Sequence, residues 1–197
     1  MLLLNCAEVN AKGYKVNDIV ENQFIMNKKF KLNLSKGKWV VVDRGFENYA
    51  TLVGKVYSLV RLEDSIAVEW IQIAELKTAG FHEAHVNHAI QTVIFKDKYD
   101  GCYERPEYFI LKFYKRGSTH NCLVIGHSDV YKDLYAPDDP NTSNARLKKW
   151  IKDNSIQLPK VGLSSFHSYF SRLAAGKWYL LEYGIDPKIL DAPVNNF

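Results

Sequence analysis

Asp64, Glu75 and Lys77 are the residues whose types and spacing point first to chemistry. The run Leu62-Glu-Asp-Ser-Ile-Ala-Val-Glu-Trp-Ile-Gln-Ile-Ala-Glu-Leu-Lys77 sets one acid well ahead of a Glu-x-Lys block, with an Ile- and Val-rich segment between them. Metal-dependent phosphodiester hydrolysis needs such a set: carboxylates to hold a divalent cation, and an ammonium beside the attacking water. The geometry turns on whether the run is a helix or a strand pair. As a helix, Ile66, Trp70, Ile73 and Ala74 form a core stripe, Gly80 caps it, and Asp64 and Glu75 stand about 16 Å apart, too far to share an ion. As a hairpin, period-two geometry sends Glu75 and Lys77 to one face, with Asp64 on the preceding strand. Ile66, Val68, Ile71 and Ile73 favour the strand, and the absence of Gly or Asn at a turn disfavours it. A second match, Asp186-Pro187-Lys188, is barred from a central strand by its proline.

The elements that must position these residues read as follows. Lys36 to Asp43 suits a short buried strand after a turn. Phe46 to Val60 suits a helix, because Tyr49, Val53, Val56, Tyr57 and Val60 recur mostly three or four apart. His85 to Tyr99 predicts a helix, stopped by Asp100-Gly101. Glu107 to Tyr114 is a strand entered from Pro106, and Cys122 to Ile125 is a second one beyond the Lys115-Arg-Gly-Ser118 turn. Val130 to Tyr135 reads as a short helix capped by Ser128, and Ala145 to Asn154 as a basic helix. Leu163-Ser-Ser165 caps a final aromatic helix, Phe166 to Leu173, before a tail broken by Gly184 and Pro187. This order predicts a central mixed sheet flanked by helices, in the α/β or α+β class.

The chain of 197 residues suits a single domain, 1–197, with a real core. Within it, residues 1–60 are the least legible and would serve as a dimerisation arm. No apolar run reaches the length of a membrane span, and the opening Met-Leu-Leu-Leu is too short for a signal peptide. Cys6, Cys102 and Cys122 are odd in number and scattered, which suits free thiols in a reducing cytoplasm and excludes a zinc cluster built on paired cysteines. A charge of +4 permits a polyanionic partner without demanding one.

Asp64 with Glu75-Leu76-Lys77-Thr78 resembles the active-site motif of the PD-(D/E)XK nucleases, and most closely that of the PvuII-like restriction enzymes. The likeness runs from about Arg61 to Phe170. Gly80-Phe81 and His85-Val86-Asn87 resemble the segment leading into the helix behind the active site, and Pro106 to Gly117 is similar to the next strand. Glu63 stands where the family has proline before its acid. The resemblance implies a restriction-endonuclease-like fold and a Mg²⁺-dependent type II deoxyribonuclease that cuts double-stranded DNA. Asp64, Glu75 and the Leu76 carbonyl would be its metal ligands, and Lys77 would orient or deprotonate the water. A double-strand break by one site per chain implies a homodimer, and a restriction enzyme implies a methyltransferase as genetic partner.

His82, His85 and His88 have poor spacing for zinc and read as polar surface, and the resemblance places His85 and Asn87 near the family's base-reading segment, where imidazole could contact base edges or phosphates. Lys115 and Arg116 join Lys112, Arg146, Lys148, Lys149, Lys152 and Lys160 as candidates for phosphate contact, although each singly is an ordinary solvated residue. Two alternatives stay open. One is a structure-specific nuclease of the junction-resolvase type. The other is a non-catalytic binding protein in which Ser65 to Ala79 is a plain helix.

Overall fold

The computed structural model describes residues 13–28, 30–49, 52–78, 108–115, 119–130, 143–171 and 177–192. Strands dominate. They are β1 (Ile19–Val20), β2 (Gln23–Ile25), β3 (Lys31–Asn33), β4 (Trp39–Tyr49), β5 (Leu52–Glu63), β6 (Ile66–Thr78), β7 (Tyr108–Lys115), β8 (Thr119–Asp129), β9 (Val161–Ser171) and β10 (Lys177–Ile185). One α-helix, α1 (Ser143–Asp153), is present among the described residues, and a 3₁₀ turn at Pro187–Leu190 follows β10.

Eight strands form one sheet in the order β1-β4-β5-β6-β10-β9-β8-β7, while β2 and β3 pair separately. Every ladder in the large sheet is antiparallel, so the sheet is not mixed as expected, although helix and sheet together keep the chain in the α+β class. Helices on both sides are not part of the described structure: α1 covers one face and the β2–β3 hairpin covers the other.

Each face has its own core, because side chains alternate along a strand. On the hairpin face, Phe24, Trp39, Val41, Leu59, Ile71 and Ile73 are buried together, and the Tyr14 and Phe24 rings stack 4.8 Å apart. On the helix face, Leu147 and Ile151 of α1 pack on Val42, Val60 and Ala67. Arg146 of α1 reaches down to the buried Asp43 of β4, with Nε donating at 2.6 Å and Nη2 at 3.0 Å. Gly45 leaves room for it, since a methyl there would overlap the guanidinium.

Several expectations are corrected. Phe46 to Val60 is not a helix but parts of β4 and β5. Its apparent helical spacing arises because β5 is buried on both faces, Val56 and Val60 on one and Tyr57 and Leu59 on the other. Phe166 to Leu173 is likewise β9 as far as Ser171, and Gly184 lies inside β10 rather than breaking a tail. Residues 19–60 supply β1 to β4 and most of β5, including the buried Trp39 and Leu59. Cys122, expected as a free thiol, is disulfide-bonded, which removes the support that free thiols gave to a reducing compartment. The strand entered from Pro106 and the basic helix appear as β7 and α1. The expected helix at His85 to Tyr99 lies outside the described residues. No described helix is long and apolar enough to cross a membrane.

Candidate functional site

The run that carries Asp64, Glu75 and Lys77 is a hairpin, as one of its two readings required. β5 and β6 pair antiparallel from Leu52↔Thr78 to Glu63↔Ile66. The turn, however, is Asp64-Ser65 itself. Both residues have positive φ, 49° and 64°, as a two-residue type I′ turn demands. The short side chain of Asp64 tolerates that left-handed conformation, which is why no Gly or Asn is needed.

This turn undoes the shared metal. Asp64 sits at one tip of the hairpin, while Glu75 is nine steps along β6 from its start, roughly 30 Å away at ~3.3 Å per residue. Two carboxylates on one Mg²⁺ must come within about 4 Å. Leu76, named as the third ligand, is buried and pairs with Gly54 on one side and Trp178 on the other, so its backbone lies in the ladder rather than facing a site. Among the described residues no group of three His, Cys, Asp or Glu is arranged to hold a metal ion. Of the expected constellation, the structure brings together Glu75 and Lys77, which share the hairpin face.

Around Glu75 the partners are donors. Its carboxylate is bonded by Lys177 of β10 and by the Asn27 amide from the β2–β3 turn. Tyr179 lies directly opposite Glu75 in register, accepts from Asn27 at 3.5 Å, and is stacked on Phe30 at 4.8 Å. Burial, chiefly, pushes the Tyr179 hydroxyl above its ordinary pKa, and the nearby Glu75 charge adds to it. Lys55 is the cross-strand neighbour of Glu75 on β5 and is exposed, as is Lys77. Phe46, opposite Lys55 on β4, is 69% exposed, an unusual cost for so large an apolar ring.

The register extends this patch across the sheet. Lys115 of β7 pairs with Thr119, Thr119 with Ser171, and Ser171 with Lys177, so all four occupy one row of one face. Because Trp178 pairs with Leu76, the next position in the ladder brings Lys177 beside Lys77. The row from Lys115 to Lys77 crosses four strand spacings, about 19 Å. The adjacent row of the same face holds Lys55, Glu75, Tyr179, Tyr169, Asn121 and Phe113. Beyond it His167 meets the Asn121 side-chain oxygen at 2.7 Å, and burial holds the imidazole below its ordinary pKa.

The expected base-reading residues His82, His85, Asn87 and His88, together with Arg116, lie outside the described residues. Sequence reasoning missed Asn27, Lys55 and Lys177. Lys55 and Lys177 become visible only once the ladders fix their register, and Asn27 only once the β2–β3 turn is seen to reach Glu75.

A second carboxylate, Glu69, is almost fully buried in the hairpin-face core. It takes hydrogen bonds from Arg61, from the Tyr183 hydroxyl and from Ser35 Oγ at 2.6 Å. Burial, then the hydrogen bond to Glu69, pushes the Tyr183 hydroxyl far above the usual tyrosine range. Burial alone would lower the Arg61 pKa, and the bonds to Glu69 and Glu63 outweigh it and raise it. With every partner satisfied, this network is structural.

No protein-family model matches the chain, and comparison with curated proteins and with solved structures gives no match either.

Proposed function

We propose that the chain is a DNA-binding protein that holds the phosphate backbone with Lys55, Lys77 and Lys177 on one face of its sheet. The observation that carries this reading is the register, which gathers Lys55, Lys77 and Lys177, distant in sequence, onto one face beside the exposed Phe46 ring. These lysines lie on three neighbouring strands, about 10 Å across, a span that matches adjacent backbone phosphates, each neutralised with release of its counterion. The exposed Phe46 ring offers a π face on which an unpaired base stacks.

Hydrolysis is not assigned to this surface. The restriction-endonuclease reading rests on two carboxylates sharing Mg²⁺, and the groups that meet Glu75 are a lysine, an asparagine and a tyrosine. The homodimer and the methyltransferase partner followed from that reading and go with it.

The test is fluorescence anisotropy of labelled duplex and single-stranded oligonucleotides over a salt series. Binding weakens linearly in log–log form, and Lys55→Ala/Lys77→Ala lowers the duplex slope by about 1.8, at roughly 0.9 per phosphate contact. An unchanged slope, or no binding at low salt, overturns the proposal. Plasmid incubated with Mg²⁺ stays intact, with or without chelator; Mg²⁺-dependent cutting would return the chain to the nucleases.

A further inference from the structure

Among the described residues Phe46 is the most exposed large apolar side chain, at 69%. A ring left in water gives up the burial through which aromatics normally stabilise a fold, and a polar residue would serve this strand position as well. Phe46 stands directly opposite Lys55 on β5, and the same face carries Lys77 on β6 and Lys177 on β10. Measured over strand spacings and residue rises, the backbones of these lysines lie about 5, 12 and 16 Å from that of Phe46. Glu75, the carboxylate within the group, is bonded by Lys177 and Asn27, so three ammonium groups stand against one carboxylate beside the ring.

We infer that this face selects single-stranded over duplex DNA, with one unpaired base stacked on the Phe46 ring. The phosphate contacts are those proposed above for the same lysines, and the preference presupposes them. Phe46, Lys55, Lys77 and Lys177 occupy four consecutive strands, about 14 Å between the outer two backbones. The major groove is about 12 Å wide and admits a helix or a two-stranded ribbon, so a face of this width lies across it rather than within it. Bases stacked inside a duplex then stay out of reach of the ring. A single strand turns a base onto Phe46 while its phosphates track the lysines, and every base has a π face to offer. Charge alone gives the opposite preference. Duplex DNA carries one charge per about 1.7 Å of its axis, more than a single strand, so lysines without the ring would favour the duplex.

The experiment is fluorescence anisotropy of the full chain at one fixed low salt concentration with three probes of equal length: oligothymidine, a duplex, and a single strand of abasic sites. Oligothymidine binds at least about fivefold more tightly than either of the others. Phe46→Leu, which keeps an apolar side chain but no ring, lowers oligothymidine binding to that of the abasic strand, and Phe46→Trp retains it. Oligothymidine bound no better than the abasic strand, a duplex bound as tightly as oligothymidine, or undiminished oligothymidine binding by Phe46→Leu would each overturn the inference and leave the phosphate contacts standing. Absence of binding to all three probes overturns both. The comparison of probes on the wild-type chain decides the matter even if a variant fails to fold.

Discussion

Arg61→Met should be among the most damaging single changes in the described structure, and its cost follows from where Glu69 sits. The Glu69 side chain is 2% exposed and that of Arg61 12%. Three donors reach the carboxylate, and Arg61 is the only charged one. Methionine replaces the stem of Arg61 but not its charge, leaving an ion in the core with two hydroxyl donors. Removing one partner of a buried ion pair costs about 3–5 kcal/mol, more than half of the total for a domain at the lower end of the usual ~5–15 kcal/mol. Urea unfolding read by fluorescence measures it, with an unchanged dependence on denaturant showing that the folded state keeps its compactness. Glu69→Gln in the same background removes the stranded charge, so the double variant should recover at least ~1 kcal/mol relative to the sum of the single changes. A loss below about 1 kcal/mol for Arg61→Met, with no coupling to Glu69→Gln, would refute the view that Arg61 is what allows a carboxylate in this core.

Further outcomes follow from other sites. Ser65→Gly should stabilise the chain by about 0.5–1 kcal/mol in the same urea assay, since Ser65 pays for a left-handed φ of 64° that glycine adopts freely; destabilisation would argue against the I′ turn. Burial lowers the His167 pKa below 6.5, so the folded chain takes up this proton less readily than the unfolded one. Its contribution is therefore present above that pH and is lost as pH falls through and below it. The melting temperature of His167→Gln should fall less steeply on acidification than that of the wild type, and identical profiles would refute the assignment. With three cysteines in the chain and Cys122 disulfide-bonded, thiol titration of the unfolded, unreduced chain should find one free thiol; finding three would show the bond absent.

What could be read in the sequence was what local pattern decides. Tyr108–Lys115 follows a proline and is dense in aromatic and β-branched residues, and α1 carries its apolar Leu147 and Ile151 four apart among lysines. The misread β5 is buried on both faces, so polarity does not alternate along it and helical spacings arise by coincidence. Glu75 and Lys77 on a common face followed from period two alone. The place of Asp64 did not, because a type I′ turn made of Asp-Ser carries no glycine to announce it. The gathering of Lys55, Lys77 and Lys177, and the seat of Trp70 against Gly184, depend on register between strands far apart in sequence. Gly184 opposite Trp70 is an example: its reason is a ring contributed more than a hundred residues earlier.

The strand order has a consequence for how this chain is made. β4 to β6 form one meander and β7 to β10 another, and within the sheet the two meet where β10 pairs with β6. Across that seam Glu75 and Lys177 are 102 residues apart. At about 5–20 residues per second, β6 emerges from the ribosome roughly 5–20 s before its partner exists. For that interval the 13 residues of β6 offer an open edge, unpaired hydrogen-bonding groups beside Ile71, Ile73 and Leu76. A chain that stops before Lys177 would keep that edge permanently. Truncation there should yield aggregates rather than a smaller soluble sheet, and the last strand in the sequence is the one that seals the molecule.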